Sequence, residues 1–96
     1  MPLTAESFLK TAMTNPVNSE IMSRLPQMGL NQCMLTAGCL FQTVWNHQAK
    51  LPPAWGIKDY DVFYFDKDLS LQAESAIIAA GQRLFHDLNV NVEFKN

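Results

Sequence analysis

The sequence has little of what drives nucleic-acid, zinc or membrane chemistry. Seven Lys and Arg stand against nine Asp and Glu, a formal charge of −2. The bases are scattered as Lys10, Arg24, Lys50, Lys58, Lys67, Arg83 and Lys95. Without a basic stripe, no binding of duplex nucleic acid is expected, while a nucleotide with its own metal ions stays allowed. The only cysteines, Cys33 and Cys39, have C-x5-C spacing and no matching His pair. That is not a zinc spacing. Reduced thiols in a cytoplasm are the expectation, with Cys33, in an apolar run, in a buried structural role. No apolar run is long enough for a membrane span, and "MPLTAESFLK" lacks the apolar centre of a secretory signal. There is no repeat, low-complexity tract or linker, and no glycine-rich phosphate loop.

What is present suits one small domain. The 96 residues are 48% hydrophobic, enough for a single core but not for two. A single sheet with helices on one side would use most of that core.

The first helix is signalled by Thr4 as N-cap and by Phe8, Leu9, Ala12 and Met13 on one face. Asn15 can cap a second, Pro16 fits its first position, and Gly29 closes it. Val17, Ile21, Leu25 and Met28 make its apolar face, and Pro26 should fray its last turn. "CMLTA" reads as a buried strand, Cys33 to Ala37, with Gly38 at a strand-to-helix junction. In the helix that follows, Leu40, Phe41, Val44, Trp45 and Gln48 share a face, and Trp45 is expected in the core. "LPPAWGIK" is a loop.

"DYDVFYF" is the strongest strand, ended by a turn at Asp66, Lys67 and Asp68. Ser70 caps a helix running to about residue 88, in which Gly81 permits close packing. "VNVEFKN" alternates, with Val90, Val92 and Phe94 one way and Asn91, Glu93 and Lys95 the other. The order α-α-β-α-β-α-β predicts an α/β or α+β layer around a small mixed sheet of three strands.

Asp59 and Asp61 are two apart in a strand, so they share a face. Adjacent carboxylates repel unless a cation sits between them, and Mg²⁺ typically takes one or two carboxylates plus substrate phosphates. Spacing alone nevertheless favours a solvated pair. Gly38, before a helix N-terminus, would let backbone N–H groups meet an anion, but by itself it reads as a tight turn. Glu93 alone reads as a solvated edge residue. His47 and His86 read as surface histidines. Lys58 and Arg83 are phosphate partners by charge only, with Lys58 expected on the face opposite Asp59.

Taken in order, these signals resemble the core of the polymerase-β-type nucleotidyltransferases. "LTAGCLFQTVWNH" followed by "GIKDYDVFYFDKDLS" is similar to a bacterial nucleotidyltransferase-like family, the resemblance running from about Asn15 to Asn96. It implies that Gly38 and Cys39 contact nucleotide phosphates, and that Asp59 and Asp61 bind Mg²⁺ or Mn²⁺. Glu93 would be the third carboxylate, activating the attacking hydroxyl.

The implied partners are a nucleoside triphosphate and an unknown acceptor, with no membrane. Cys39 stands where that superfamily often has a serine, and a thiol is a weak donor. Family members are expected to continue past Asn96, so the chain reads as the core without the family's C-terminal region. Self-association is expected through the surface so left. Two alternatives remain open. One is a non-catalytic nucleotide- or protein-binding module. The other is an unrelated α+β interaction domain, such as a small ferredoxin-like one, which requires that Asp59, Asp61 and Glu93 do not converge.

Overall fold

The computed structural model describes residues 4–30 and 32–96. Its elements are α1 (Ala5–Ala12), α2 (Pro16–Arg24), β1 (Cys33–Leu35), α3 (Ala37–Gln48), β2 (Asp59–Tyr64), α4 (Leu71–Phe85) and β3 (Asn91–Lys95). Short 3₁₀ turns, Leu25–Met28 and His86–Leu88, extend α2 and α4.

Local chemistry accounts for the helix ends. Thr4 caps α1 in a capping box with Ser7. The Asn15 side chain accepts from the Val17 N–H at 2.9 Å, and Pro16 occupies the first turn of α2. Because Pro26 has no N–H to donate, the regular helix stops at Arg24, and the chain continues as a 3₁₀ turn to left-handed Gly29. Ser70 caps α4 through the Ala73 N–H.

The sheet order is β1-β2-β3, with β1 antiparallel and β3 parallel to β2. It is the mixed three-stranded sheet of an α+β fold. Helices cover one face, where Ile21, Leu25, Leu35, Tyr60, Val62, Tyr64, Phe85 and Phe94 form the core. Burying an apolar side chain of this size contributes about 1.5–3 kcal/mol. The other face is bare: Met34, Phe63 and Phe65 are all more than half exposed. No helix among the described residues is long and apolar enough to cross a membrane.

Four sequence expectations are corrected here. β1 ends at Leu35 rather than Ala37, because Thr36 turns into the N-cap position of α3. Gly38 therefore lies inside the first turn of α3, not at the junction before it. Trp45 is not core but 58% exposed, packed on Phe41, which in turn meets Phe8 of α1 edge-on. Leu9 of the expected α1 face is likewise exposed.

The buried side of α3 is more polar than its apolar spacing suggested. Asn15, Asn18, Thr43 and Asn46 are fully or almost fully buried. Asn15 Nδ2 donates to Thr43 Oγ1 at 3.2 Å and to the Tyr60 hydroxyl at 3.0 Å. Asn18 Nδ2 donates to Thr43 Oγ1 and to the Ala12 carbonyl. This network ties α2 and α3 to the second residue of β2, and so fixes which way the start of that strand faces.

Candidate functional site

The site begins with strand alternation. Tyr60, Val62 and Tyr64 are buried, so Asp59, Asp61 and Phe63 project from the opposite, bare face. The parallel pairing then sets Asp59 against Asn91, Asp61 against Glu93 and Phe63 against Lys95. With Val92 half-buried and Phe94 buried beneath the sheet, Asn91, Glu93 and Lys95 join the aspartates on the bare face.

Side chains link this row. Asn91 Nδ2 donates to Asp59 Oδ1 and to Glu93 Oε1, both at 2.9 Å. Lys95 Nζ lies 3.7 Å from Asp61 Oδ2 and 3.8 Å from Glu93 Oε2. Asp61 Oδ1 is buried and has no hydrogen-bond partner. Such an acceptor is costly to leave unpaired, and a cation would satisfy it.

The other side of the site comes from α3. The Thr36 N–H donates to the Asp61 carbonyl at 2.8 Å, docking the start of the helix beside the aspartate. Thr36 makes no side-chain cap bond. The first-turn N–H groups therefore lack a capping side chain, at the end of the helix that attracts anions. A Cβ added to Gly38 would meet nothing nearer than Thr36 Oγ1 at 3.9 Å, so the backbone there lies open.

Gly38, Cys39 and Gln42 of α3, the loop residues Gly56, Ile57 and Lys58, and Asp59 and Asp61 line one concavity of about 360 Å³. That volume lies at the small end of the range for ligand pockets. Four of the five residues singled out in the sequence thus meet in one place. Glu93 does not line it; it lies beside Asp61 on the neighbouring strand and borders a groove along β3 and α4.

Cys39 is turned inward. Its side chain is buried among core residues, and its Sγ donates to the Thr36 carbonyl at 3.4 Å. Burial pushes this thiol's pKa up.

The loop is pinned from beneath. Asn46, buried on α3, donates through Nδ2 to the carbonyls of Pro53 at 3.0 Å and Trp55 at 2.8 Å. This fixes the approach to Gly56, which takes a positive φ of 76°. Asp66 and Asp68 stand apart, accepting from the backbone N–H groups of Asp68 and Ser70 as turn residues do.

The sequence expectation for Lys58 is corrected. Standing just before β2, it borders both the concavity of Asp59 and Asp61 and the groove along β3 and α4, so it is not confined to the opposite face. Arg83 lies on α4 beside Ala79, Gln82 and His86, away from the aspartates. Asn91 and Lys95 were missed as site residues. Their alternation with Glu93 was visible, but only the β2–β3 register shows what they face.

The donor set is hard and anionic, the kind Mg²⁺ or Mn²⁺ prefers. Among the described residues, no three His, Cys, Asp or Glu side chains are grouped to hold one ion. Asn91 and Lys95 hold the carboxylates in a row instead of gathering them. The residues still fit an ion that takes two protein carboxylates and completes its shell from substrate phosphates and water, the usual habit of Mg²⁺.

Compared with known proteins, residues 23–96 match a family model described as nucleotidyltransferase. No curated protein and no solved structure matches the chain.

Proposed function

The chain belongs to the nucleotidyltransferase family, and from that premise we propose that it transfers a nucleoside monophosphate from a nucleoside triphosphate to an acceptor hydroxyl. The observation that carries this reading is the shared concavity of Asp59, Asp61 and the start of α3 at Gly38 and Cys39. It sets anionic ligands for a cation beside N–H donors for a phosphate, the two needs of a metal–nucleotide complex.

Asp59 and Asp61 would hold Mg²⁺ or Mn²⁺, which when bound lowers the pKa of the acceptor hydroxyl and offsets charge on the triphosphate. The first turn of α3 orients the phosphates through backbone N–H groups. Glu93 takes the proton as the acceptor oxygen bonds to the α-phosphorus and the bond to the pyrophosphate oxygen breaks. Positioning and electrostatics supply most of the rate. A reducing cytoplasm is the compartment this reading implies.

The test is incubation with each α-labelled nucleoside triphosphate, Mn²⁺ and a panel of hydroxyl acceptors. Label transfer by the wild type and its loss in Asp61→Asn are expected. Transfer undiminished in Asp61→Asn would overturn the assignment.

A second reading, a non-catalytic module, is favoured by Lys95, which already offsets charge at Asp61 and Glu93. Nucleotide binding without any label transfer would support it. The exposed Met34, Phe63 and Phe65 are then the surface for self-association or a protein partner, and a concentration-independent monomer in sedimentation would exclude self-association.

A further inference from the structure

Resting on the metal-dependent reading above, we infer that Lys95 is a resident counter-cation of the Asp61–Glu93 pair, which a divalent ion must displace or tolerate, and that it sets the site's metal affinity.

Three observations carry this. First, Asp61 and Glu93 are register partners on adjacent parallel strands, and two like charges so close repel. Lys95 follows Glu93 by two residues on the same face and reaches both carboxylates. Second, its ammonium stands 3.7 and 3.8 Å from them, beyond hydrogen-bonding range. It is held by charge, not by directed bonds, and its side chain is 52% exposed on a flexible four-carbon stem. Third, Lys95 approaches Oδ2 of Asp61 and leaves the buried Oδ1 without a partner. The ammonium therefore compensates the charge of the pair but leaves one buried oxygen without a partner.

A divalent ion entering at Asp61 meets a positive charge already there. Removing that charge should tighten metal binding, because repulsion at about 4 Å between a unit charge and a divalent ion is significant even in water. A nucleotide arriving with the metal offers the displaced ammonium a phosphate in exchange. Lys95 is thus a positioning residue whose effect is read in metal affinity.

The test is Mn²⁺ titration of the whole chain, following the free-ion electron paramagnetic resonance signal, for wild type, Asp61→Asn, Lys95→Met, Lys95→Arg and the double variant Lys95→Met/Asp61→Asn. The expected result is roughly tenfold tighter Mn²⁺ binding in Lys95→Met. Lys95→Arg, which keeps the charge, should stay within about twofold of wild type, and the double variant should lose the gain. Asp61-dependent binding in the wild type that is no tighter in Lys95→Met overturns the role of Lys95 and leaves the transfer reading standing. Equal tightening in Lys95→Arg also overturns it, since that would be an effect of packing and not of charge. If neither wild type nor Lys95→Met binds Mn²⁺ through Asp61, both this inference and the metal-dependent reading fail.

Discussion

The ring of Phe94 lies where a side chain at Gly81 would begin: a Cβ built on that glycine falls 2.1 Å from Phe94 Cε2. Phe94 is buried and stacks on Phe85 of the same helix, with ring centroids 6.2 Å apart. This contact seats β3 under α4 and so helps fix the register that brings Glu93 opposite Asp61. Gly81→Ala should destabilise the fold by about 1–3 kcal/mol, as overpacked cores do, despite the better helix propensity of alanine. Urea unfolding measures it. Adding Phe94→Leu should recover part of the loss, because the two positions are in contact and their effects are not additive.

Asn15 joins three elements from a fully buried position. It caps α2 and donates to Thr43 of α3 and Tyr60 of β2. Asn15→Ala removes the cap and leaves buried partners with fewer bonds. A loss of about 2–3 kcal/mol is expected, read by chemical denaturation. A loss below about 0.5 kcal/mol would mean that the network does not hold β2.

How much of this could be read beforehand depended on whether the signal was local. Caps and turns were legible: Asn15 through its short side chain, and Pro16, Pro26 and Gly29 through their own backbones, act on neighbouring residues, and all four behave as expected. The shared face of Asp59 and Asp61 followed from strand alternation. The end of β1 did not, since a threonine such as Thr36 suits both a strand and a helix cap. Trp45 shared helical spacing with Phe41, but spacing does not say which side of a helix meets the sheet. That side of α3 is chosen by the amides of Asn15 and Asn18, which meet Thr43 from residues far away in sequence. Lys95 was illegible as a site residue for the same reason. Its partner Asp61 lies on another strand, and only pairing brings them together.

Asn46 acts on the pocket from behind, through two loop carbonyls. Asn46→Ala should free the loop before Gly56. Hydrogen exchange should rise at the amides of residues 54–58 while the strands of the sheet stay protected. Nucleotide affinity should fall about threefold to tenfold, the effect of losing one or two hydrogen bonds that order a loop. Unchanged exchange at those amides would remove Asn46 from the account of the site.

Arg24 clamps Asp87 with two bonds, 2.6 and 2.9 Å, and also donates to the Leu84 carbonyl. The guanidinium holds the Asp87 carboxyl below the usual aspartate range, and the backbone N–H of Ser70 does the same for Asp68. A carboxylate whose pKa is depressed on folding adds stability above its unfolded pKa, and that stability is lost as pH falls through the folded value. Melting temperature should therefore drop as pH falls below about 4. Asp87→Asn should melt lower than wild type near pH 6 and converge with it in acid. The effect should be small, because exposed pairs contribute little.

The most direct test of the central claim, that the bare face of the sheet holds a divalent ion at Asp59 and Asp61 beside the start of α3, is paramagnetic broadening of amide signals by Mn²⁺. Selective broadening is expected at residues 59–61, extending to Glu93 across the strand pair and to Gly38 and Cys39, and it should disappear in Asp61→Asn. Broadening spread evenly over the exposed acids, or unchanged by Asp61→Asn, would contradict it.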